Sequence, residues 1–334
     1  MAAQGAEASL RRSPSQEDGI DGEIERELRA FGAVLIQRAS ILLRLQQSTC
    51  VSAATIFQRF FFRRSLADFD VRMAAAASLL LACKIEEAER RLKDIIVVFY
   101  RMHLRSLEED GQPVYEGPTP NLEPKSREAL EMRQAIITVE RQILKEFGFA
   151  MSTFLQPPHR YLLQFLRQMM HVDSLSKLAQ TSWNFLNDSF RTTLCCEYQP
   201  HEIAAASLFL AADRLRINLP SNPPWWNACH ARQEDMVSIA TIIADLYRQP
   251  APRLVALQRK DPTEIPTFMR SPSDDGSGSG LRSSVAECGR QSDGEDRASP
   301  EPMGREARRS RSRSPAAPKR VVRLTLGGPR ARQR

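Results

Sequence analysis

The stretch Val71–Ala88, VRMAAAASLLLACKIEEA, decides the fold. From Met73 to Cys83 it carries no charge and is rich in alanine and leucine. Alanine lets neighbouring backbones approach closely, so a helix of this composition suits the centre of a bundle. Its eleven uncharged residues fall well short of the ~20 that a membrane-crossing helix needs. The pattern occurs twice. Ala75–Ala82, AAASLLLA, and Ala204–Ala211, AAASLFLA, match at seven of eight positions with an offset of 129 residues. Composition alone can make alanine-rich helices look alike, but both copies hold third place in a five-helix order. That position favours a structural duplication.

Working outward, period-three-and-four patterns dominate from about Glu23 to Tyr247. The first helix carries an apolar stripe of Phe31, Val34, Leu35, Ile41, Leu42 and Leu45, interrupted by Arg38. CVSAATIFQRFFFRRS follows, then the alanine-rich helix, KDIIVVFYRMHLRS and SREALEMRQAIITVERQILKEFGF. A loop with four prolines, EEDGQPVYEGPTPNLEP, separates the last two and belongs on the surface. Five more segments follow: PPHRYLLQFLRQM, SLSKLAQTSWNFLNDSFRT, PHEIAAASLFLAADRLRI, NPPWWNACH and QEDMVSIATIIADLY. No segment alternates with period two, so no sheet is expected. The expectation is an all-α chain of two tandem five-helix bundles, residues 23–150 and 151–250. A disordered N-terminal tail (1–22) and a disordered basic tail (251–334) flank them.

Composition narrows the chemistry. The six cysteines include neither a CxxC spacing nor a secretory context, so reduced thiols and no metal are expected. There is no GxSxG elbow, glycine-rich phosphate loop or paired-carboxylate loop, so neither a catalytic residue nor a cofactor is expected. The N-terminus lacks an apolar run, which points to a cytosolic or nuclear protein with no membrane partner. Residues 301–334 carry eleven Lys or Arg against two Glu, a net of +9. The whole chain has +7, so residues 1–300 sum to 7 − 9 = −2. The excess charge sits entirely in the tail, as in nucleic-acid-binding, acidic-partner or nuclear-import segments.

Two charges break the pattern. Glu140 lies three and four residues from apolar neighbours on both sides, among Ile136, Ile137, Ile143 and Leu144. Lys84 follows Leu80 and Leu81 on the apolar face of the alanine-rich helix. Charges on buried faces need partners, since desolvating one costs several kcal/mol. Either the two pair with each other or reach out to water, or this face is an interface.

The tandem bundles and LLLACKIEEA resemble the cyclins. Lys84-Ile85-Glu86-Glu87 and Val139-Glu140-Arg141-Gln142-Ile143-Leu144 are similar to the two signatures of the first cyclin box. LIQRASILLRL, FQRFFFRRS, KIEEAERRLKDIIVVFYRMHLR, SWNFLNDSFRT and AADRLRINLP resemble the L-type cyclins, over about residues 25–248. The resemblance implies a regulatory subunit, not an enzyme, that binds a cyclin-dependent protein kinase in transcription and pre-mRNA splicing. It implies that Lys84 and Glu140 bond to the kinase near its mobile regulatory helix, with Ile85, Leu144 and Phe149 packing on that helix. Core packing is the alternative role for those three apolar residues. Cys83 stands where the family usually has serine, and Glu89 where it has proline.

The tail holds one short Arg-Ser run, RRSRSRSP, where the family has many. Ser310, Ser312 and Ser314 are candidate phosphosites. Three phosphates would add roughly −5 and cancel about half of the tail's +9. Splicing factors or RNA are the expected tail partners, in the nucleus and its speckles; a plain nuclear-import tail is the alternative. Ser13, Ser271, Ser299 and Ser314 each precede proline, as cyclin-dependent kinases prefer. Another transcription-type cyclin is a competing reading. A TFIIB-like general transcription factor, the third reading, would need an N-terminal zinc ribbon and basic repeats.

Overall fold

A computed structural model describes residues 12–109, 122–151, 154–168, 175–219, 224–257, 260 and 265–270. Among the described residues five long helices form the first bundle: α1 (Gly22–Leu42), α2 (Gln47–Arg63), α3 (Val71–Ile85), α4 (Leu92–Glu109) and α5 (Arg127–Glu146). Four of the described helices form the second: α6 (His159–Gln168), α7 (Leu175–Ser189), α8 (Pro200–Leu215) and α9 (Gln233–Asp245). The tryptophan segment before α9 contributes only a single turn, Trp225–Ala228. No strand occurs among the described residues. None of the described helices is long and apolar enough to cross a membrane.

Helix starts follow local chemistry. Asp70 caps α3 by accepting from the amides of Arg72 (2.7 Å) and Met73 (3.2 Å), and Ser126 caps α5 through the Ala129 amide at 3.2 Å. Pro200 opens α8 where no amide is needed, and the Glu202 carboxylate reaches back to the Gln199 amide at 2.9 Å. The alanine-rich helices then take the centre of each bundle. Every residue of α3 from Val71 to Cys83 is buried, and the helix packs against α1, α2, α4 and α5. α8 packs against α6, α7 and α9. Each half has its own core, the first built round Phe57, Phe60 and Phe61 of α2. Gly32 on α1 lies so close to Phe57 that an added Cβ would stand 2.1 Å from the ring.

One buried polar chain ties the helices together. The Arg29 guanidinium on α1 donates to Glu25 (3.2 Å), to the Gln58 side chain (3.0 Å) and to the Gln58 carbonyl (2.7 Å) on α2. Gln58 in turn donates to the Phe190 carbonyl of the second half at 3.1 Å. Phe190 packs on Val51 and Ala54 of α2, and Arg59 donates to the Cys195 carbonyl at 3.1 Å.

Parts of both expected tails are ordered. Residues 12–21 are not a disordered leader: a single helical turn, Pro14–Glu17, buries Ser15, whose hydroxyl accepts from the Leu66 amide at 3.1 Å. Residues 251–257, 260 and 265–270 return to the first bundle. Leu257, Ile265 and Met269 join its core, Arg72 donates to the Met269 carbonyl (2.9 Å), and the Thr267 amide donates to Glu131 (2.7 Å). Prolines and irregular spacing hide these anchors from a periodicity reading, because an extended strap buries residues one at a time.

The strap covers His103 of α4, whose ring faces Phe268 at 5.8 Å. Burial, reinforced by the Arg72 charge and partly offset by Asp70, pushes its pKa down to about 4. The unfolded chain takes up this proton near pH 6.5, the fold only near 4, so stability is lost as pH falls through that window. Urea unfolding is expected to show about 2–3 kcal/mol less stability from this group at pH 4.5 than at pH 7.5. His103→Phe should flatten that part of the slope.

Candidate functional site

The last turn of α3 emerges from the core. Cys83 is still buried, and burial pushes its thiol up to about 11, so it serves as a small apolar filler. Lys84 follows with its side chain more than half exposed. Its Nζ lies 2.6 Å from the Glu140 carboxylate on α5. Glu140 is buried, flanked by Ile136, Val139 and Ile143 in the core. The two anomalous charges therefore meet each other, and the pair is open to solvent on the lysine side. A half-exposed ion pair typically contributes only about 0–1 kcal/mol, a weak structural reason to bury a carboxylate.

The loop after α3 is held rigidly. Ser52 of α2 donates to Glu86 at 2.7 Å, the Ala88 amide closes on the Cys83 carbonyl at 2.8 Å, and Arg90 donates to the Leu43 carbonyl at 2.9 Å. Glu87 takes a left-handed φ of 53° within this loop. Ile85, at its start, is exposed. Leu144 is partly buried against the first core, and its carbonyl accepts from the Phe149 amide at 3.1 Å. Phe149 itself is 71% exposed with φ 63°, next to Gly148 at φ 56°. A large aromatic both exposed and held in a left-handed conformation has no packing reason to be there.

Periodicity puts Ile41 and Leu42 on the apolar stripe of α1, yet they are 69% and 54% exposed, while Ile36, Ala39 and Leu43 are buried. Arg38 marks where the stripe ends, the one signal available. Leu42 and Leu43 line an open hollow of about 680 Å³ with Arg44, Glu89, Arg90, Arg91 and Asp94. Among the described residues no cluster of three or more His, Cys, Asp or Glu could hold a metal, and the five described cysteines are free. Ser310, Ser312 and Ser314 lie outside the described residues, as do Ser271 and Ser299.

Comparison with known proteins gives this geometry its family. Residues 4–152 match the cyclin N-terminal domain and residues 158–271 the cyclin C-terminal domain. The chain belongs to the cyclin family. This cyclin is 34% identical over 252 residues to Cyclin-L1-1 of Arabidopsis thaliana, covering 75% of this chain and 58% of that one. It is 38% identical over 249 residues to Cyclin-L2 of Homo sapiens, covering 75% and 46%. It thus spans about half the length of the curated relatives it matches. A chain of the yeast RNA Pol II CTD kinase CTDK-1 complex shares the fold, with a TM-score of 0.55 at 16% identity over 71% of this cyclin and 74% of that chain.

Since Phe149 is exposed and strained, Phe149→Gly should change unfolding free energy by less than about 1 kcal/mol. Truncating a core phenylalanine such as Phe57 to alanine should cost about 3–5 kcal/mol. Paired urea titrations separate the two.

Proposed function

We propose that this cyclin is the regulatory subunit of a cyclin-dependent protein kinase, bound through the end of the first bundle that presents Lys84, Ile85 and Phe149. The observation that carries the reading is the Lys84–Glu140 pair, buried on one side and open on the other. Ile85, next to Lys84, and Phe149, just beyond the end of the helix that carries Glu140, are both exposed apolar groups, as a docking surface needs. An active kinase requires its strand lysine paired with a glutamate of its mobile regulatory helix. A partner that binds only the helix-in state shifts the population by its differential affinity. On the family resemblance, Lys84 and Glu140 bond to the kinase near that helix, and Ile85, Leu144 and Phe149 pack on it. Leu144 is already partly buried, so its share of the contact is smaller than that of Phe149.

The L-type resemblance extends the reading to RNA polymerase II transcription and pre-mRNA splicing in the nucleus. The +9 segment 301–334, with its Arg-Ser run, is the part suited to RNA or acidic splicing partners.

Pull-down from nuclear extract tests the interface. Wild type should retain a cyclin-dependent kinase activity, and a folded Lys84→Ala/Glu140→Ala double variant should lose at least about tenfold of it, the effect of ~1.4 kcal/mol. Equal recovery by the folded double variant would remove this face from the interface. For the tail, a chain ending at residue 300 should no longer concentrate in nuclear speckles; undiminished concentration there would overturn the tail's role.

A further inference from the structure

The Ser13 hydroxyl donates to the Glu25 carboxylate, and that carboxylate is the partner of the buried Arg29 guanidinium. Ser13 also accepts from the Gln16 amide at 3.2 Å, capping the single turn Pro14–Glu17. One side chain thus starts the turn and joins it to α1. Beyond it the docked segment is held by Ser15 against the Leu66 amide, by Ile20 in the first core, and by Asp18 against Lys260 of the strap at 2.7 Å. Asp18 is held below the usual carboxylate range by Lys260 and Ser65. The sequence around the hydroxyl is Arg11-Arg12-Ser13-Pro14, a basic, proline-directed phosphoacceptor context.

We propose that Ser13 is phosphorylated by a proline-directed protein kinase and that the phosphate releases the N-terminal segment from the first bundle. The transfer joins Ser13 Oγ to the γ-phosphorus of ATP and breaks that phosphorus's bond to the β–γ bridging oxygen. ADP leaves, and the hydroxyl proton goes to solvent. Oγ loses the proton it donates to Glu25, and about −1.5 to −2 of charge replaces it. That charge would face a carboxylate whose side chain is only 6% exposed, in a low-dielectric setting where like charges repel strongly. Between Arg12 and Arg29 the chain has six carboxylates against three arginines, and Arg29 is already engaged by Glu25 and Gln58. A phosphate at a long helix's N-terminus is stabilising, but a single turn offers little dipole to offset this repulsion. Protein kinases take their acceptor in an extended segment, so the reaction draws on the undocked state and the phosphate keeps it there. Release also removes Asp18 from Lys260, leaving the strap's lysine with Asp68 at 3.5 Å. Any proline-directed kinase suffices, so the switch stands apart from the partner proposed above.

The test treats the full chain with a purified proline-directed kinase and ATP, maps the site by mass spectrometry, and follows amide hydrogen exchange. Phosphorylated chain should exchange the amides of residues 15–20 and of Leu66 at least about tenfold faster, with Phe57–Phe61 unchanged as the folded control. Ser13→Ala, which removes cap and donor without adding charge, should give a smaller rise. Glu25→Gln should lessen the effect of the phosphate. No incorporation at Ser13, unchanged protection after incorporation, or equal release in the Glu25→Gln chain would each overturn the proposal.

Discussion

A guanidinium cannot be deprotonated inside a protein, so burying Arg29 obliges the chain to place acceptors around it. Glu25 comes from the preceding turn of α1, and both the side chain and the carbonyl of Gln58 come from α2. That requirement fixes the rotation of α1 against α2, since a slip of one residue would leave the charge unpaired. Gln58 has an amide to spare and spends it on Phe190, so the same constraint reaches the second bundle. At its other end the chain of bonds reaches Ser13, so the same network ties the N-terminal segment to α1.

The two bundles repeat a framework and diverge in what they present. At the 129-residue offset Lys84 corresponds to Asp213 and Ile85 to Arg214. Asp213 is exposed and reaches only Arg216, 3.8 Å away on the surface. Alanine packing at the centre of α3 and α8 is thus common to both halves, because both need close helix approach. Among the described residues the buried carboxylates, Glu140 included, lie in the first half, which concentrates the functional reading there.

Residues 12–21 and the described residues of 251–270 behave less like tails than their composition implies. Lys260 joins Asp18 of the N-terminal segment and Asp68 of the loop before α3, and its amide donates to the Ala67 carbonyl at 3.1 Å. Arg72 bonds Asp70 and the strap's Met269 carbonyl together. Each such contact is modest, but together they let two polar, proline-containing segments lie ordered against the first bundle without forming long helices of their own.

Helical periodicity, the duplicated alanine helix and the anomalous positions of Lys84 and Glu140 were legible from residue order, because each depends on spacing along one helix. The same spacing misassigned Ile41 and Leu42, since a stripe shows which residues share a face but not where the neighbouring helix ends. It gave no sign that Ser15, Leu257, Ile265 and Met269 are buried, because their partners lie tens to hundreds of residues away and their spacing has no period. Sequence by itself determined the helices, their order and the residues that must be paired if buried. Tertiary structure alone decided that Lys84 and Glu140 pair with each other, that Phe149 is held out from the fold in a left-handed turn, and that residues 12–21 and the strap before residue 271 lie against the first bundle. Those outcomes rest on contacts between distant segments, whose geometry exists only once the helices have packed.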